Sequence, residues 1–336
     1  MNEVGAELSE TGGRDRAVMV PREVLSAFRR TPGRAFMLGH VHADADALGT
    51  LFALGAALER AGWAVEYGGP HPVPLSLRFL PGADTYVPMP EVSGQFDLLV
   101  MTDCPDPGRT AGVLDVVRPR SEILVNIDHH PDNRRYGDVN WVAPAAAAVG
   151  EMVFDLLRAL GLPIDRDIAT NLFTAVHMDT GSFRYSNVTP KTFRVAAELV
   201  SAGADPASVT GYLYESRRPE SLHQLGRVLS LVQVSGDGRI GWLALPAGTV
   251  PESFVEAEDL VNYPRSIETT KVGALLRELG DGVKVSLRAK GEVDVRAIAA
   301  RFGGGGHRNA AGCVIPGPLA TATERVLEAV REALAR

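Results

Sequence analysis

The chain has 336 residues, 45% of them hydrophobic and 22% charged, an ordinary globular composition with room for about two domains. Its 34 Lys and Arg against 41 Asp and Glu leave a formal net charge of -7, which argues against long-range capture of duplex nucleic acid. Two cysteines, Cys104 and Cys313, exclude a disulfide framework, and no apolar run is long enough for a membrane span or a signal peptide, so a cytoplasmic protein is expected.

Residues 1–18, dominated by Gly, Glu and Ser without periodicity, read as disordered. From Ala35 the pattern is strand then helix. Ala35–Leu38 is a short apolar run, and Ala47–Ala61 is helix-like and closed by Gly62. Buried strands follow at Asp97–Thr102 and Ile123–Ile127, then helices at Ala145–Leu160 and Asp167–Met178. Strands alternating with helices predict an α/β domain with a mostly parallel sheet flanked by helices. After about residue 190 the pattern changes. A helix over Lys191–Ala202 leads into a charged helical region, Tyr214–Leu231. A hairpin then turns through Ser235–Arg239, where Gly supplies the bend. Helices are predicted at Pro251–Val261 and Val272–Leu279, a strand at Val283–Arg288, a helix at Val295–Phe302, and a helix-like Ala-rich segment from Ala310. The predicted organisation is a terminus over 1–18, a catalytic domain over 19–190, a linker over 191–215, and a smaller α/β domain over 216–336.

The chemistry concentrates at strand ends, where open α/β sheets bind ligands. His40, Asp44 and Asp46 fall within seven residues just after the first strand. Asp46 alone could cap the helix that follows, but that explains neither Asp44 nor His40. Asp103 ends the second buried strand, Asp128-His129-His130 leaves the third, and Asp179 stands at a helix end before Gly181. Parallel topology would bring all of them to one rim. So many carboxylates cannot all stay ionised together without positive charge. Imidazole and carboxylate without thiolate suit Mn²⁺ or Mg²⁺, with Fe²⁺, Co²⁺ and Zn²⁺ as further candidates. His40, Asp44, Asp46, Asp103, His129 and Asp179 are too many ligands for one ion and suit two ions sharing a carboxylate.

In the second half, Gly303-Gly304-Gly305-Gly306 precedes His307 and Arg308. Four glycines can turn backbone N–H groups outward into an anion nest. Arg265, Lys271 and Arg288 could add charge-assisted contacts to phosphate.

In this order the residues resemble the DHH phosphoesterases of the DHHA1 subgroup, over nearly the whole chain after about residue 20. His40 with Asp44-Ala45-Asp46 is similar to the first motif, Asp103 with Arg109 to the second, and Asp128-His129-His130 to the one that names the family. Asp179-Thr180-Gly181-Ser182-Phe183-Arg184-Tyr185 is similar to the fourth, and Gly303–Gly306 with His307 to the DHHA1 signature. Ala43 departs from the Pro that many members carry there. The resemblance implies one ion on His40, Asp44 and Asp103, and another on Asp46, Asp103, His129 and Asp179. It implies that His130 touches the scissile phosphate, that Asp128 orients a neighbouring histidine, and that Asp103 bridges. It further implies substrate contacts from Arg288, the Gly303–Gly306 loop and His307, with Arg109 and Arg265 as further candidate substrate residues. His42 and His177 are not family ligands.

Among subgroups, the length resembles the small bacterial nanoRNase and pAp phosphatases rather than the long exonucleases with an OB-type domain or the membrane-bound phosphodiesterases. That implies hydrolysis of short oligoribonucleotides to mononucleotides and removal of the 3′-phosphate of pAp, with Mn²⁺ the expected metal and Mg²⁺ or Co²⁺ the others. The expected partners are short single-stranded RNA or short DNA and pAp, with a homodimer as family members often form. Alternatives are a phosphodiesterase for cyclic or linear dinucleotides, a single-strand exonuclease, and a nucleotide-binding regulator without catalysis.

Overall fold

A computed structural model of the chain describes residues 19–250, 259–280 and 282–335. The predicted disorder over 1–18 and most of the helix predicted at Pro251–Val261 lie outside these residues. The chain divides into two compact units. The first comprises the chain to Val73, Leu80–His129 and Arg135–Pro206, and the second Pro74–Phe79, His130–Arg134 and Ala207–Arg336. Among the described residues, no helix is long and apolar enough to cross a membrane.

The first unit runs α1 (Arg22–Phe28), β1 (Arg34–Leu38), α2 (Ala45–Arg60), β2 (Ala64–Gly69), β3 (Tyr86–Pro88), β4 (Phe96–Thr102), α3 (Val113–Val117), β5 (Ser121–Asp128), β6 (Val139–Val142), α4 (Val149–Leu160), α5 (Arg166–Asp179) and α6 (Pro190–Ser201). The six strands form one parallel sheet in the order β3-β2-β1-β4-β5-β6. Strand order reverses between β1 and β4, the switch point beyond whose carboxyl ends open α/β sheets bind ligands. The apolar runs at the sheet's centre follow from burial on both faces: Phe36, Leu38, Leu99 and Met101 pack with α3, while α2 is buried along most of its length. Two glycines let helices close in. A Cβ on Gly49 of α2 would meet the Asn171 carbonyl oxygen at 2.6 Å, and one on Gly150 of α4 would meet Ala175 and Val176 at 3.0 Å.

The second unit runs α7 (Pro206–Tyr214), α8 (Pro219–Leu229), β7 (Gln233–Val234), β8 (Ile240–Leu245), α9 (Asn262–Ser266), β9 (Val272–Leu279), β10 (Gly282–Ala289), α10 (Val295–Ala300), β11 (Gly305–His307), β12 (Ala310–Pro316) and α11 (Leu319–Leu334). Its sheet, in the order β11-β12-β10-β9-β8-β7, is antiparallel except where β8 pairs β9. One face packs Val272, Ala274, Val285, Leu287 and Ile315 with Ile298, Val326 and Val330 of α10 and α11.

Two predicted helices are strands. Val272–Leu279 carries good helix formers, yet it is β9, with ladder partners on both edges and a continuous apolar run buried on both faces. The Ala-rich segment from Ala310 is β12, where small side chains admit the close approach of β11. Within the region predicted over Tyr214–Leu231, the helix is α8, which starts only at Pro219 in its first turn, while Tyr214 is the last residue of the preceding α7.

Candidate metal centre

Three neighbouring strands and one helix end deliver the acidic and imidazole groups of the first unit. β1 ends just before His40, β4 just before Asp103, and β5 supplies Asp128 and leads into His129, while Asp179 closes α5. Asp103 sits at φ 55°, a region non-glycine residues seldom occupy, and its N–H donates to the Ile127 carbonyl at 2.9 Å. Backbone strain of this kind is tolerated where surrounding contacts over-determine it.

His40, Asp46, Asp103, Asp128 and His129 are all buried, each no more than 4% exposed. His129 is the hub. Its Nε2 lies 3.6 Å from an Asp103 oxygen, 3.9 Å from Asp46 and 3.5 Å from Asp179. Its other nitrogen, Nδ1, is 3.0 Å from the Ala146 carbonyl, an acceptor only, so the neutral ring carries its proton on Nδ1 and turns the Nε2 lone pair to the acids. His40 stands on the other side of Asp103, with Nε2 4.0 Å from its Oδ2. His40 Nδ1 lies 2.9 Å from the Val41 carbonyl and 3.1 Å from Arg109 Nη2. Nδ1 therefore faces one acceptor, the Val41 carbonyl, and one donor, the Arg109 guanidinium, while Nε2 is turned toward Asp103.

The two aspartates after β1 divide their work in a way the sequence did not disclose. Asp44, not Asp46, caps α2: its Oδ1 accepts the N–H groups of Asp46 and Ala47 at 3.0 and 3.1 Å. Asp46 instead accepts the N–H groups of Val149 and Gly150 at 2.7 and 2.9 Å, so the N-terminus of α4 fixes both carboxylate oxygens. Sequence reasoning missed Val149 and Gly150, because backbone donors leave no side-chain signature. The glycine at Gly150, where α4 crosses α5, was the available signal. Asp128 accepts the N–H of His129 at 2.8 Å, which fixes the peptide that carries the histidine.

Electrostatics agree with a cation site. Burial, then repulsion from Asp179, pushes the Asp46 carboxyl up to about 8, against the pull of His129. Burial, then Asp44, Asp46, Asp128 and Asp179, pushes Asp103 well above the ordinary carboxylate range. At His129 burial pulls the pKa down, but Asp179 and Asp46 outweigh it and the net shift is upward. Upward shifts of this kind are what a buried carboxylate cluster shows when its charges are compensated only by a histidine. Single ligand atoms of Asp46, Asp103 and His129 lie within 4.8 Å of one another. Their separations exceed a hydrogen bond yet allow donors to converge on one ion. Oxygen and imidazole donors with no sulfur fit a hard or borderline divalent cation. Asp44 stands at the exposed rim. His42 and His177 lie outside the cluster: His42 N–H faces His71 Nδ1 at 3.4 Å, and His177 Nε2 faces Ser182 Oγ at 3.1 Å.

The predicted substrate residues, Arg109 apart, belong to the second unit, and so does His130. Arg288 pairs across β10 with Gly273 on one side and Ala310 on the other, and Ala310 pairs with His307. A Cβ on Gly273 would meet Arg265 at 2.7 Å. Arg265, Arg288 and His307 are therefore on one face of the sheet, which Gly305, paired with Gly312, shares. The glycine run departs from a nest of outward N–H groups. Gly303 and Gly304 donate to the carbonyls of Ala300 and Ala299 at 3.1 and 3.0 Å, closing α10, and Gly305 and Gly306 belong to β11.

The DHH family N-terminal domain matches residues 34–176, and the DHHA1 domain matches residues 253–336. The chain is 38% identical over 320 residues to the bifunctional oligoribonuclease and PAP phosphatase NrnA of Thermus thermophilus, covering 94% of each protein. It is 28% identical over 288 residues to the protein of the same name from Bacillus subtilis, covering 82% of this chain and 87% of that one. The fold resembles the crystal structure of an exopolyphosphatase-related protein from Bacteroides fragilis, with a TM-score of 0.82 at 24% identity, covering 92% of this chain and 95% of that one.

Proposed function

Because the chain belongs to the DHH family and carries its DHHA1 domain, we propose that it is a metal-dependent phosphoesterase that hydrolyses short oligoribonucleotides to mononucleotides and removes the 3′-phosphate of pAp. The observation that carries the reading is the buried group Asp46, Asp103 and His129, with Asp179 at its edge, in which acids are held short of full ionisation. His40, Asp44 and Asp103 would hold one divalent ion and Asp46, Asp103, His129 and Asp179 a second, with Mn²⁺ our choice over Mg²⁺ and Co²⁺. Ions there would supply an acidified water and offset charge on the phosphoryl oxygens.

The chain's own residues do the rest. Val149 and Gly150 N–H groups hold Asp46 in one orientation, so it need not reorganise when a cation replaces its proton. The Ala146 carbonyl holds the proton of His129 on Nδ1 and keeps Nε2 available. Burial excludes bulk water from Asp103, which strengthens its interaction with any cation. His130 is assigned to the scissile phosphate, Asp128 to holding the His129 peptide, and Arg109 to the His40 side of the site. Arg265, Arg288, His307 and the Gly303–Gly306 run are the residues we assign to the nucleotide and its terminal phosphate, with Arg265, Arg288, Gly305 and His307 sharing one face of the sheet. We assign residues 19–190 to catalysis, 191–215 to a linker and 216–336 to substrate binding. Cytoplasmic location and a homodimer complete the proposal.

The test is a substrate panel of pAp, pApA, a pentaribonucleotide, its DNA counterpart and cyclic di-AMP, each with and without Mn²⁺, read by product chromatography. Metal-dependent release of mononucleotides from pApA and the pentamer, and of phosphate from pAp, is expected. Turnover of cyclic di-AMP alone would replace the reading with a cyclic-dinucleotide phosphodiesterase.

A further inference from the structure

Behind the acids, two buried hydroxyls join the strand that ends at Asp103 to the helix that begins beside Asp46. Thr102 is the last residue of β4, and Thr50 lies one helical turn after Asp46 in α2. Neither has measurable solvent exposure. Thr50 Oγ1 lies 2.5 Å from the Asp46 carbonyl, 3.0 Å from the Ala47 carbonyl and 2.8 Å from Thr102 Oγ1, and Thr102 Oγ1 lies 3.2 Å from the Ala47 carbonyl.

Each hydroxyl has one proton to give and two lone pairs to receive with. The Thr50 hydroxyl donates toward Thr102 Oγ1, and the Thr102 hydroxyl donates in turn to the Ala47 carbonyl. The result is a directed chain that ties the last residue of β4 to the first turns of α2. Both backbone carbonyls are also within reach of the helix's own N–H groups, so the chain is not needed to satisfy them. What it adds is a fixed span between the peptide that carries Asp46 and the residue immediately before Asp103. Asp103 is the position at φ 55°, where the backbone needs an external restraint to stay.

We propose that Thr50 and Thr102 are positioning residues for the metal centre, setting the distance between the Asp46 and Asp103 carboxylates. The inference rests on the metal-dependent reading above and assigns a role to two residues outside its ligand set. Loss of either hydroxyl would let the two acids drift apart, so it would weaken cation binding without removing a ligand.

The test uses the full chain as Thr50→Val, Thr102→Val, the double Val variant, and Thr50→Ser and Thr102→Ser. Mn²⁺ binding is read by calorimetry and by the electron paramagnetic resonance of bound Mn²⁺, with thermal unfolding of the metal-free protein measured alongside. Each Val variant should bind Mn²⁺ about fivefold to tenfold more weakly, the scale of one buried hydrogen bond. The double variant should be little worse than either single one, because one chain is broken once, and the Ser variants should restore wild-type affinity. If the Val and Ser variants all bind as wild type does and differ only in unfolding temperature, the hydroxyls are structural and the proposal is wrong. If wild type itself binds no Mn²⁺, the metal-dependent reading fails and takes this proposal with it.

Discussion

At Asp46 the fold and the solvent disagree about a proton. Its carboxyl ionises at about 8 in the folded protein and at 3.8 as a free side chain, with burial the main cause and Asp179 the next. Between those values the folded state binds a proton that the unfolded chain has released, so metal-free stability falls as pH rises through that window. A cation takes the proton's place and removes the penalty. The rise in unfolding temperature caused by Mn²⁺ should therefore be larger at pH 8 than at pH 6 when followed by scanning calorimetry. A rise that is flat or shrinks with pH would remove Asp46 from the ligand set. Asp103→Asn keeps the shape of the side chain but halves its donor oxygens. It should lower turnover of pApA by on the order of a hundredfold to a thousandfold, as for loss of one transition-state stabiliser. Wild-type rates in that variant would exclude Asp103 from a bridging place.

Among the elements, the hairpin of β11 and β12 gives the glycine run a packing explanation open to measurement. A Cβ on Gly304 would come within 2.1 Å of the Gly312 carbonyl oxygen and 2.5 Å of Cys313 Cβ, whereas one on Gly303 meets nothing within 4 Å and suffers only from φ +77°. Gly304→Ala should therefore lose stability toward the upper end of roughly 1–3 kcal/mol, and Gly303→Ala about 1 kcal/mol, in urea titrations. The reverse order would mean that the run is there for its backbone angles and not for close packing. The same contrast explains what could be read from the sequence. Strands β1, β4 and β5 were legible because apolar runs such as Leu98–Met101 end abruptly at a histidine or an acid, and the rim was expected from parallel topology. β9 was not, because Leu275, Leu276 and Leu279 suit a helix as well as a strand buried on both faces, and only its partners β8 and β10 decide. β3 and β6 are short, and β2 begins exposed and ends in Gly68-Gly69, so none offers an apolar run to notice. The ligand candidates are side chains and stood out, whereas the groups that orient them belong to the backbone: the Ala146 carbonyl, which accepts from His129, and the Val149 and Gly150 N–H groups, which donate to Asp46.

For the whole molecule, a net charge of -7 bears on the proposed short substrate. Such a substrate needs a few local cations, the role proposed above for Arg265 and Arg288, and no basic surface. With about two phosphates contacted, the logarithm of apparent pApA affinity should fall against the logarithm of salt with a slope of roughly -1 to -2. A slope of about -5 or steeper, measured as KM from 50 to 200 mM salt, would mean a far more extended contact with the strand. The sheet order has a kinetic consequence as well. His40, Asp103, His129 and Asp179 come from chain segments that meet only once β1, β4, β5 and α5 are assembled. A cation site built from such distant segments does not exist early in folding, so an ion cannot act as its nucleus. Added Mn²⁺ should slow unfolding and leave the refolding rate nearly unchanged, which makes metal uptake a signal that the first unit has finished folding.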